Sequence, residues 1–214
     1  MYVTGSFSGW EKHYRKHRQP WAGTVPDRPV IPEGSVVMEA GCGNGKFLKE
    51  LLKDNIKICA FDFSEKAVDT CKKDISCYNT GRGADLLTAD CIDLPFRDSA
   101  FDTAFYRHIT GHLDEAGRKK SAGECTRVLK EGGLLYFTGF SVEDMRAGNG
   151  VETEQNSFLR GNGILTHYFT EEEVRRLFTG LDEISVKTIR WNMRVRGTDH
   201  TRAEINAVFR KSRR

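Results

Sequence analysis

The chain has 214 residues, a length typical of one medium-sized domain built around a single hydrophobic core. Its hydrophobic, aromatic and charged fractions of 38%, 10% and 29% are close to average globular usage, which excludes long disordered, collagen-like and coiled-coil sequences. The 33 basic and 30 acidic residues leave a net charge of only +3, so the overall charge gives little attraction to nucleic acid.

Strands and helices are predicted to alternate through the first two thirds of the chain. Short apolar runs that end in Gly or Asp indicate buried parallel strands, and apolar residues at helical spacing indicate the helices between them. In chain order we predict a strand at 35–40, a helix at 45–54, a strand at 57–62, a helix at 64–78, strands at 86–90 and 101–106, a helix at 114–129 and a strand at 134–140.

The last third of the chain follows a different pattern. Residues 141–166 are rich in Gly, Asn and Glu and show weak periodicity, which predicts a long loop or lid. Thr170 and the glutamates after it predict the start of a capped helix. Two further strands, near 183–191 and 203–211, have no helix between them and are expected to pair antiparallel. The whole order predicts an α/β fold with a doubly wound, mostly parallel sheet.

The turn after the first strand carries the most informative motif, Glu39-Ala40-Gly41-Cys42-Gly43-Asn44-Gly45. Glycines at a strand-to-helix turn let a ligand approach the backbone, and the start of the helix offers free N–H groups. A dinucleotide fingerprint needs its third glycine at the position of Lys46, so the sequence disfavours an NAD-dependent oxidoreductase. Glu39 would oppose a phosphate but could help to hold a positively charged ligand.

Acidic residues at the ends of the next two predicted strands favour a nucleoside as the ligand. Asp62 ends the second strand, where a carboxylate can accept hydrogen bonds from both hydroxyls of a ribose; a loop aspartate with no such role is the alternative. Asp90 and Cys91 end the third strand beside the same cleft. A carboxylate there can accept a proton from the amino group of adenine, and the next backbone N–H can meet a ring nitrogen.

Together with the runs at 93–102 and 127–133, these residues resemble the class I S-adenosylmethionine-dependent methyltransferases, above all the group that includes ubiquinone- and menaquinone-biosynthesis enzymes. The resemblance covers roughly residues 10–178. It implies a Rossmann-like, seven-stranded sheet with an antiparallel last hairpin, S-adenosyl-L-methionine as cofactor and S-adenosyl-L-homocysteine as product. The cofactor site that it implies comprises Glu39, Gly41, Gly43, Gly45, Asp62, Phe63, Asp90, Cys91, Ile92 and Arg107.

The N-terminal segment at 1–34 is expected to cover this site as a cap, ahead of a methyltransferase domain at 35–214. Its Trp10-x-x-x-Tyr14 pattern and Trp21 are similar to the cap of the thiol, thiopurine and tellurite-resistance methyltransferases. This second resemblance implies that Tyr14 and Trp21 contact the cofactor.

The methyl acceptor stays open at this stage. A sulfonium already activates its methyl carbon, so a general base is needed only for an acceptor that is protonated at neutral pH. His108 directly follows the fourth strand and is the catalytic candidate, with a structural loop histidine as the alternative. A small-molecule acceptor is the leading hypothesis, and a non-catalytic cofactor-binding subunit is also open. The stretch at 187–214, with nine basic and two acidic residues, keeps an RNA or protein acceptor open, although a solvated basic tail gives the same pattern.

Several further expectations concern location and assembly. The six cysteines contain no Cys-x-x-Cys pair and are expected to be reduced, and the scattered histidines predict no metal site. The N-terminus lacks the apolar core of a signal peptide, which predicts a cytoplasmic location. No apolar run approaches the ~18 residues of a membrane span, so no membrane association is expected. A monomer or a homodimer fits the sequence.

Overall fold

The computed structural model describes residues 4–16, 28–76 and 83–213. In chain order its elements are α1 (Thr4–Lys16), β1 (Val36–Ala40), α2 (Leu48–Leu51), β2 (Lys57–Asp62), α3 (Glu65–Ser76), β3 (Ala84–Thr88), β4 (Phe101–Arg107), a short 3-10 helix (Thr110–His112), α4 (Glu115–Val128), β5 (Leu129–Phe140), β6 (Val151–Glu154), β7 (Ser157–Leu159), β8 (Leu165–His167), α5 (Glu171–Leu177), β9 (Asp182–Val195) and β10 (Thr198–Arg210).

Within the described residues, seven strands form one sheet in the order β3-β2-β1-β4-β5-β10-β9. The strands β1 to β5 pair in parallel, whereas β10 pairs antiparallel with β5 and β9 pairs antiparallel with β10. This confirms the predicted Rossmann-like sheet with its antiparallel last hairpin. The strand order reverses between β1 and β4, and in such sheets ligands bind beyond the carboxyl ends of the strands at that point.

The sheet is covered by apolar side chains on both faces. Val37 lies in a cluster with Leu48 and Leu51 on one face, whereas Met38, the next residue of β1, lies in the cluster with Phe137 and Phe178 on the other. Successive side chains of a strand point to opposite faces of the sheet. Because both faces of β1 are buried, its sequence is a nearly continuous apolar run. This central strand therefore holds the glycine turn that follows it in a fixed place.

The structure differs from the sequence prediction in several elements. The strand β5 begins at Leu129 instead of residue 134, directly after α4, and β9 and β10 are each longer than predicted. The predicted loop at 141–166 contains β6, β7 and β8, which form a small antiparallel sheet. Its strands are three or four residues long and mostly polar, so they give no alternating pattern. The helix α2 is four residues long instead of ten, β3 begins and ends two residues earlier than predicted, and α1 was not predicted as a helix. The predicted end of the helix at 77–78 lies outside the described residues.

Every helix in the described ranges is too short or too polar to cross a bilayer. The five cysteines that the structure describes are free thiols, and Cys77 lies outside the described residues. Among the same residues, the acidic, histidine and cysteine side chains form no group of three that could hold a metal ion.

Candidate functional site

The glycine turn after β1 requires glycine for two physical reasons. Gly41, Gly43 and Gly45 all have positive φ angles, of 71°, 53° and 78°. A Cβ atom on Gly41 would lie 2.1 Å from Cγ2 of Ile109, and one on Gly45 would lie 2.7 Å from the sulfur of Cys71. Both the backbone conformation and the lack of space therefore exclude larger residues, and the turn presents bare backbone toward the carboxyl end of the sheet.

Asp62 joins this turn to the end of β2. Its Oδ2 atom accepts a hydrogen bond from the backbone N–H of Gly43, and its Oδ1 atom accepts one from Ser64, both at 3.0 Å. The residue is 4% exposed, and burial raises the pKa of its carboxyl to about 6 although these hydrogen bonds oppose the shift. A carboxylate has about four acceptor positions, so two remain for a ligand such as the hydroxyls of a ribose.

The helix α1 lies above the glycine turn. A Cβ atom on Gly43 would lie 3.1 Å from the hydroxyl of Tyr14, so this tyrosine closes over the turn. Burial and the proximity of Asp62 raise the pKa of Tyr14, which keeps the phenol protonated at neutral pH. Trp10 packs against Tyr14, with ring centroids 5.8 Å apart, and against His112, at 4.8 Å. The structure thus places α1 beside the glycine turn, while the role of the segment as a cap and the contact of Tyr14 with the cofactor stay predictions; Trp21 lies outside the described residues.

Glu39 lies at the base of the same cleft. It is buried, and its Oε2 atom has no hydrogen-bond partner among the described residues. Burial raises the pKa of Glu39, and Arg107 opposes that shift. A buried carboxylate oxygen without a partner is costly, so a bound cationic group such as an ammonium would stabilise it. The acceptor oxygens of Asp62 and Glu39 therefore fit a ligand in which a positively charged group lies close to a nucleoside.

The predicted adenine contacts lie in a tight turn beside Asp62. The backbone N–H of Ala89 donates to the carbonyl of Asp62 at 3.1 Å, and the N–H of Ile92 donates to Oδ1 of Asp90 at 3.1 Å. Burial raises the pKa of the Cys91 thiol to about 12, so it stays protonated at neutral pH and is a poor nucleophile. The structure thus places 90–92 next to Asp62 and Phe63, while their contacts with a cofactor remain a prediction.

His108 follows β4 at the carboxyl end of the sheet. We call the part of the cleft around His108, Phe140 and Glu204 the acceptor side. Its φ angle of 55° is unusual for a residue other than glycine, and its Nε2 atom lies 3.4 Å from Oε2 of Glu204 on β10. The imidazole stacks on the ring of Phe140, with centroids 4.4 Å apart. Burial lowers the pKa of His108 although Glu204 opposes the shift, so the ring is neutral at physiological pH. A neutral histidine oriented by a carboxylate can accept a proton.

An arginine cluster continues the acceptor side and was missed by the sequence analysis. The side chain of Asp144 is fully buried and accepts hydrogen bonds from Nε of Arg146 at 2.8 Å and Nε of Arg202 at 2.7 Å. Burial alone would raise the pKa of Asp144, but these two hydrogen bonds hold it below its usual value. The guanidinium carbons of Arg146 and Arg202 lie 4.1 Å and 5.9 Å from the centre of the Phe140 ring.

Two further donors in this region are buried without acceptors. Within the described part of the chain, Nη2 of Arg146 and the hydroxyl of Tyr168 have no hydrogen-bond partner. Arg146 is also among the charges that influence Tyr168, and the Tyr168 ring lies 6.3 Å from Phe140. Buried donors of this kind are costly when unpaired, so an acceptor molecule with carbonyl or anionic oxygens would suit this side of the cleft better than an apolar one.

Sequence and structural comparisons identify proteins with the same architecture. A family model described as "Methyltransferase domain" matches residues 38–137. The chain is 31% identical over 144 residues to tRNA (carboxymethyluridine(34)-5-O)-methyltransferase of Arabidopsis thaliana, covering 66% of this chain and 33% of that protein. It is 28% identical over 200 residues to tRNA N(3)-methylcytidine methyltransferase Mettl2 of Drosophila melanogaster, covering 86% and 61%.

The solved structures give the same result for the fold. A SAM-dependent methyltransferase from Methanosarcina mazei superposes with a TM-score of 0.71 at 22% identity, covering 86% of this chain and 95% of that one. At this level of identity the likeness concerns the fold alone. The matched regions span 33% and 61% of the length of these two relatives.

Proposed function

Because the chain belongs to the class I S-adenosylmethionine-dependent methyltransferase family, we propose that it methylates an RNA, with a tRNA as the first substrate to test. The observation that carries this proposal is that both relatives described above are named as tRNA methyltransferases. They support the RNA alternative more strongly than the small-molecule acceptor that the sequence analysis favoured.

The cofactor half of the site supports the methyl-transfer part of the proposal. The cofactor supplies a methyl group activated by a neighbouring sulfonium. We assign to Asp62 the hydrogen bonds from its ribose hydroxyls and to the unpaired Oε2 of Glu39 the hydrogen bond from its amino group; the two backbone N–H contacts of Asp62 and the burial of Glu39 support this assignment. Tyr14 covers the glycine turn and limits access of water to it.

The acceptor half supports a polar substrate. The donors of Arg146 and Tyr168 match the oxygens of a nucleobase or a modified base, whereas an apolar acceptor would leave them unpaired. His108 is neutral, and with Nε2–H donating to Glu204 its Nδ1 is the basic atom of the ring; because Nδ1 is buried, the ring has to turn toward the acceptor before it can take a proton from an oxygen or nitrogen. An acceptor that is already ionised, such as a carboxylate, needs no base and would use His108 only for positioning.

The test is methyl transfer from radiolabelled S-adenosylmethionine to total tRNA, with a panel of thiols, phenols, amines and quinone precursors in parallel. We expect label in RNA that ribonuclease releases and that the Asp62→Ala variant does not incorporate. Label in small molecules alone would overturn the RNA acceptor, and cofactor binding without transfer to any substrate would favour a non-catalytic subunit. Mass spectrometry of digested tRNA then identifies the methylated nucleoside.

A further inference from the structure

The last two strands extend beyond the rest of the sheet. The strand β10 pairs with β5 from Glu204 to Arg210, but it pairs with β9 as far as Thr198, which lies opposite Val195. We call residues 189–202 the ribbon, because the part of β10 that lies within it pairs with β9 alone. At its base the ribbon is anchored by the loop after β5, where the N–H of Met145 donates to the carbonyl of Thr201 at 2.9 Å.

Core packing does not explain the length of the ribbon. All of its residues are described, and none of them is buried. A two-stranded hairpin is only marginally stable by itself in water, and long exposed strands are an aggregation hazard that charged side chains reduce. About six residues of each strand at about 3.4 Å per residue give a projection of about 20 Å. A feature of this size that adds no buried residue to the core suggests a function outside the core.

The ribbon carries most of its charge as exposed arginine. Four arginines against one aspartate give it a formal charge of +3. Arg190 pairs with Glu143 and Arg194 with Asp199, but both pairs are largely exposed, and such pairs are weak and easily exchanged. Arg196, in the turn at the tip, is exposed and has no ion pair within the described residues. These side chains are therefore available to phosphate groups.

One face of the ribbon combines an aromatic ring with an arginine. The register places Trp191 opposite Arg202 and Met193 opposite His200, and residues directly opposite one another share a face. The guanidinium carbon of Arg202 lies 5.4 Å from the centre of the Trp191 ring, which is 39% exposed. An exposed tryptophan beside an arginine is a platform on which an unpaired base can stack.

The ribbon begins at the acceptor side of the cleft. Because β10 runs antiparallel to β5, the residues that precede Glu204 project past the carboxyl end of β5, where Phe140 lies. Glu204 contacts His108, and Arg202 binds Asp144 in the arginine cluster. The face of the ribbon that carries Trp191 is thus connected, through Arg202, to the residues around His108.

The basic residues at the end of the chain lie elsewhere. Nζ of Lys211 donates at 2.7 Å to the carbonyls of Thr126 and Leu129, and the N–H of Gly132 donates to the carbonyl of Lys211. These contacts hold the end of β10 at the start of β5, on the sheet edge opposite to the cleft. Among the described residues of the basic stretch, 187–213, the ribbon is the part that lies near the acceptor side.

We propose that the ribbon is an RNA-binding arm that holds single-stranded RNA next to the nucleotide to be methylated. A base flanking the target stacks on Trp191, and the backbone phosphates pass the tip of the ribbon, where they bind Arg196 in the turn and Arg194 on the face opposite to Trp191. The inference rests on the proposed RNA acceptor, and it adds the segment that binds the RNA and the chemistry by which it does so.

The test compares two ribbon variants with a matched control in the full chain. Arg194→Glu combined with Arg196→Glu reverses two exposed charges of the ribbon, and Trp191→Ala removes the stacking surface. The control, Lys119→Glu combined with Arg176→Glu, reverses two charges that are equally exposed on α4 and α5. The affinity for a single-stranded RNA and for tRNA is measured by fluorescence anisotropy across a series of salt concentrations, and S-adenosylmethionine binding reports whether each variant is folded.

We expect the charge reversal to weaken RNA binding by at least about tenfold at low salt and to reduce the salt slope by about 1.4, since each phosphate contact on a single strand contributes about 0.7. Trp191→Ala weakens binding by about tenfold with an unchanged slope. The control binds as the wild type does, and all variants keep their cofactor affinity.

Two outcomes separate the inference from the function on which it rests. If the wild type methylates RNA and the ribbon variants bind and methylate it equally well, the arm is refuted while the proposed function stands. If the wild type methylates no RNA and labels small molecules only, the proposed function fails and the arm fails with it.

Discussion

Replacement of Asp62 by alanine tests the cofactor half of the site directly. Each carboxylate oxygen of Asp62 accepts one backbone N–H, from Gly43 or Ser64, at 3.0 Å, and each has one further position for a ribose hydroxyl. A hydrogen bond to a charged group contributes about 1.5 to 3 kcal/mol, so two lost bonds amount to about 3 to 6 kcal/mol. At about 1.4 kcal/mol for each factor of ten, we expect the Kd for S-adenosylmethionine to rise about 100-fold to 10,000-fold.

The same replacement also affects the protein without ligand. The N–H groups of Gly43 and Ser64 lose their acceptor, and an unpaired buried N–H costs about 1 to 3 kcal/mol. Removal of a buried carboxylate relieves part of this cost, because burial disfavours its charged form. We therefore expect a moderate decrease in the free energy of unfolding, smaller than the loss of binding energy.

Isothermal titration calorimetry with S-adenosylmethionine and S-adenosylhomocysteine measures the binding change, and thermal unfolding reports the stability of each variant. Asp85→Ala is the matched control, because Asp85 is exposed on β3, the strand next to β2. If the folded Asp62→Ala protein binds the cofactor within about threefold of the wild type, a difference of about 0.7 kcal/mol, Asp62 does not hold the ribose and the reasoning is wrong.

Three further predictions follow from the same site. Because burial raises the pKa of Asp62 to about 6 and ribose binding needs the ionised carboxylate, cofactor affinity should fall as the pH drops below about 6; titration calorimetry over a pH series would contradict this if affinity stayed constant. Gly41→Val should abolish measurable cofactor binding or prevent folding, since its Cβ would overlap Ile109, and a folded variant with normal affinity would refute the turn geometry. Glu204→Gln should lower kcat by about tenfold and move the acidic limb of the pH–rate profile to lower pH, because the carboxylate raises the pKa of His108; an unchanged profile would remove Glu204 from the mechanism.

The sequence predicted the cofactor half of the site because its signals are local. The glycine motif lies within one turn, and the positive φ angles of Gly41, Gly43 and Gly45 account for each glycine in it. Asp62 stands at the end of an apolar run that predicts β2 within its actual bounds. What the sequence did not indicate is that Asp62 accepts the N–H of Gly43, so that the residue predicted to bind the ribose also helps to hold the glycine turn.

Most contacts of the acceptor side could not be predicted from the sequence, because they join residues that are far apart in the chain. His108 was identified from its place after β4, but its partner Glu204 reaches it only through the antiparallel register of β10 on β5. Asp144 and Arg202 are 58 positions apart in the sequence, and Asp144 stands in a segment whose weak periodicity predicted a loop. Propensity and spacing carry no information about such pairs, which are set by strand register and by burial.

The strand register also changes the interpretation of the basic residues at 187–214. A count of charges treats 187–214 as one stretch, and on that basis the sequence favours a solvated basic tail over an RNA-facing one. The antiparallel pairing divides the stretch, because Lys211 is fixed at the start of β5 while Arg194 and Arg196 project past its end. Electrostatic attraction between exposed charges is screened beyond about 10 Å at moderate salt, so only charges near the cleft can hold RNA there. The position of the charges in the fold, and not their number in the sequence, therefore decides which of them can serve the acceptor site.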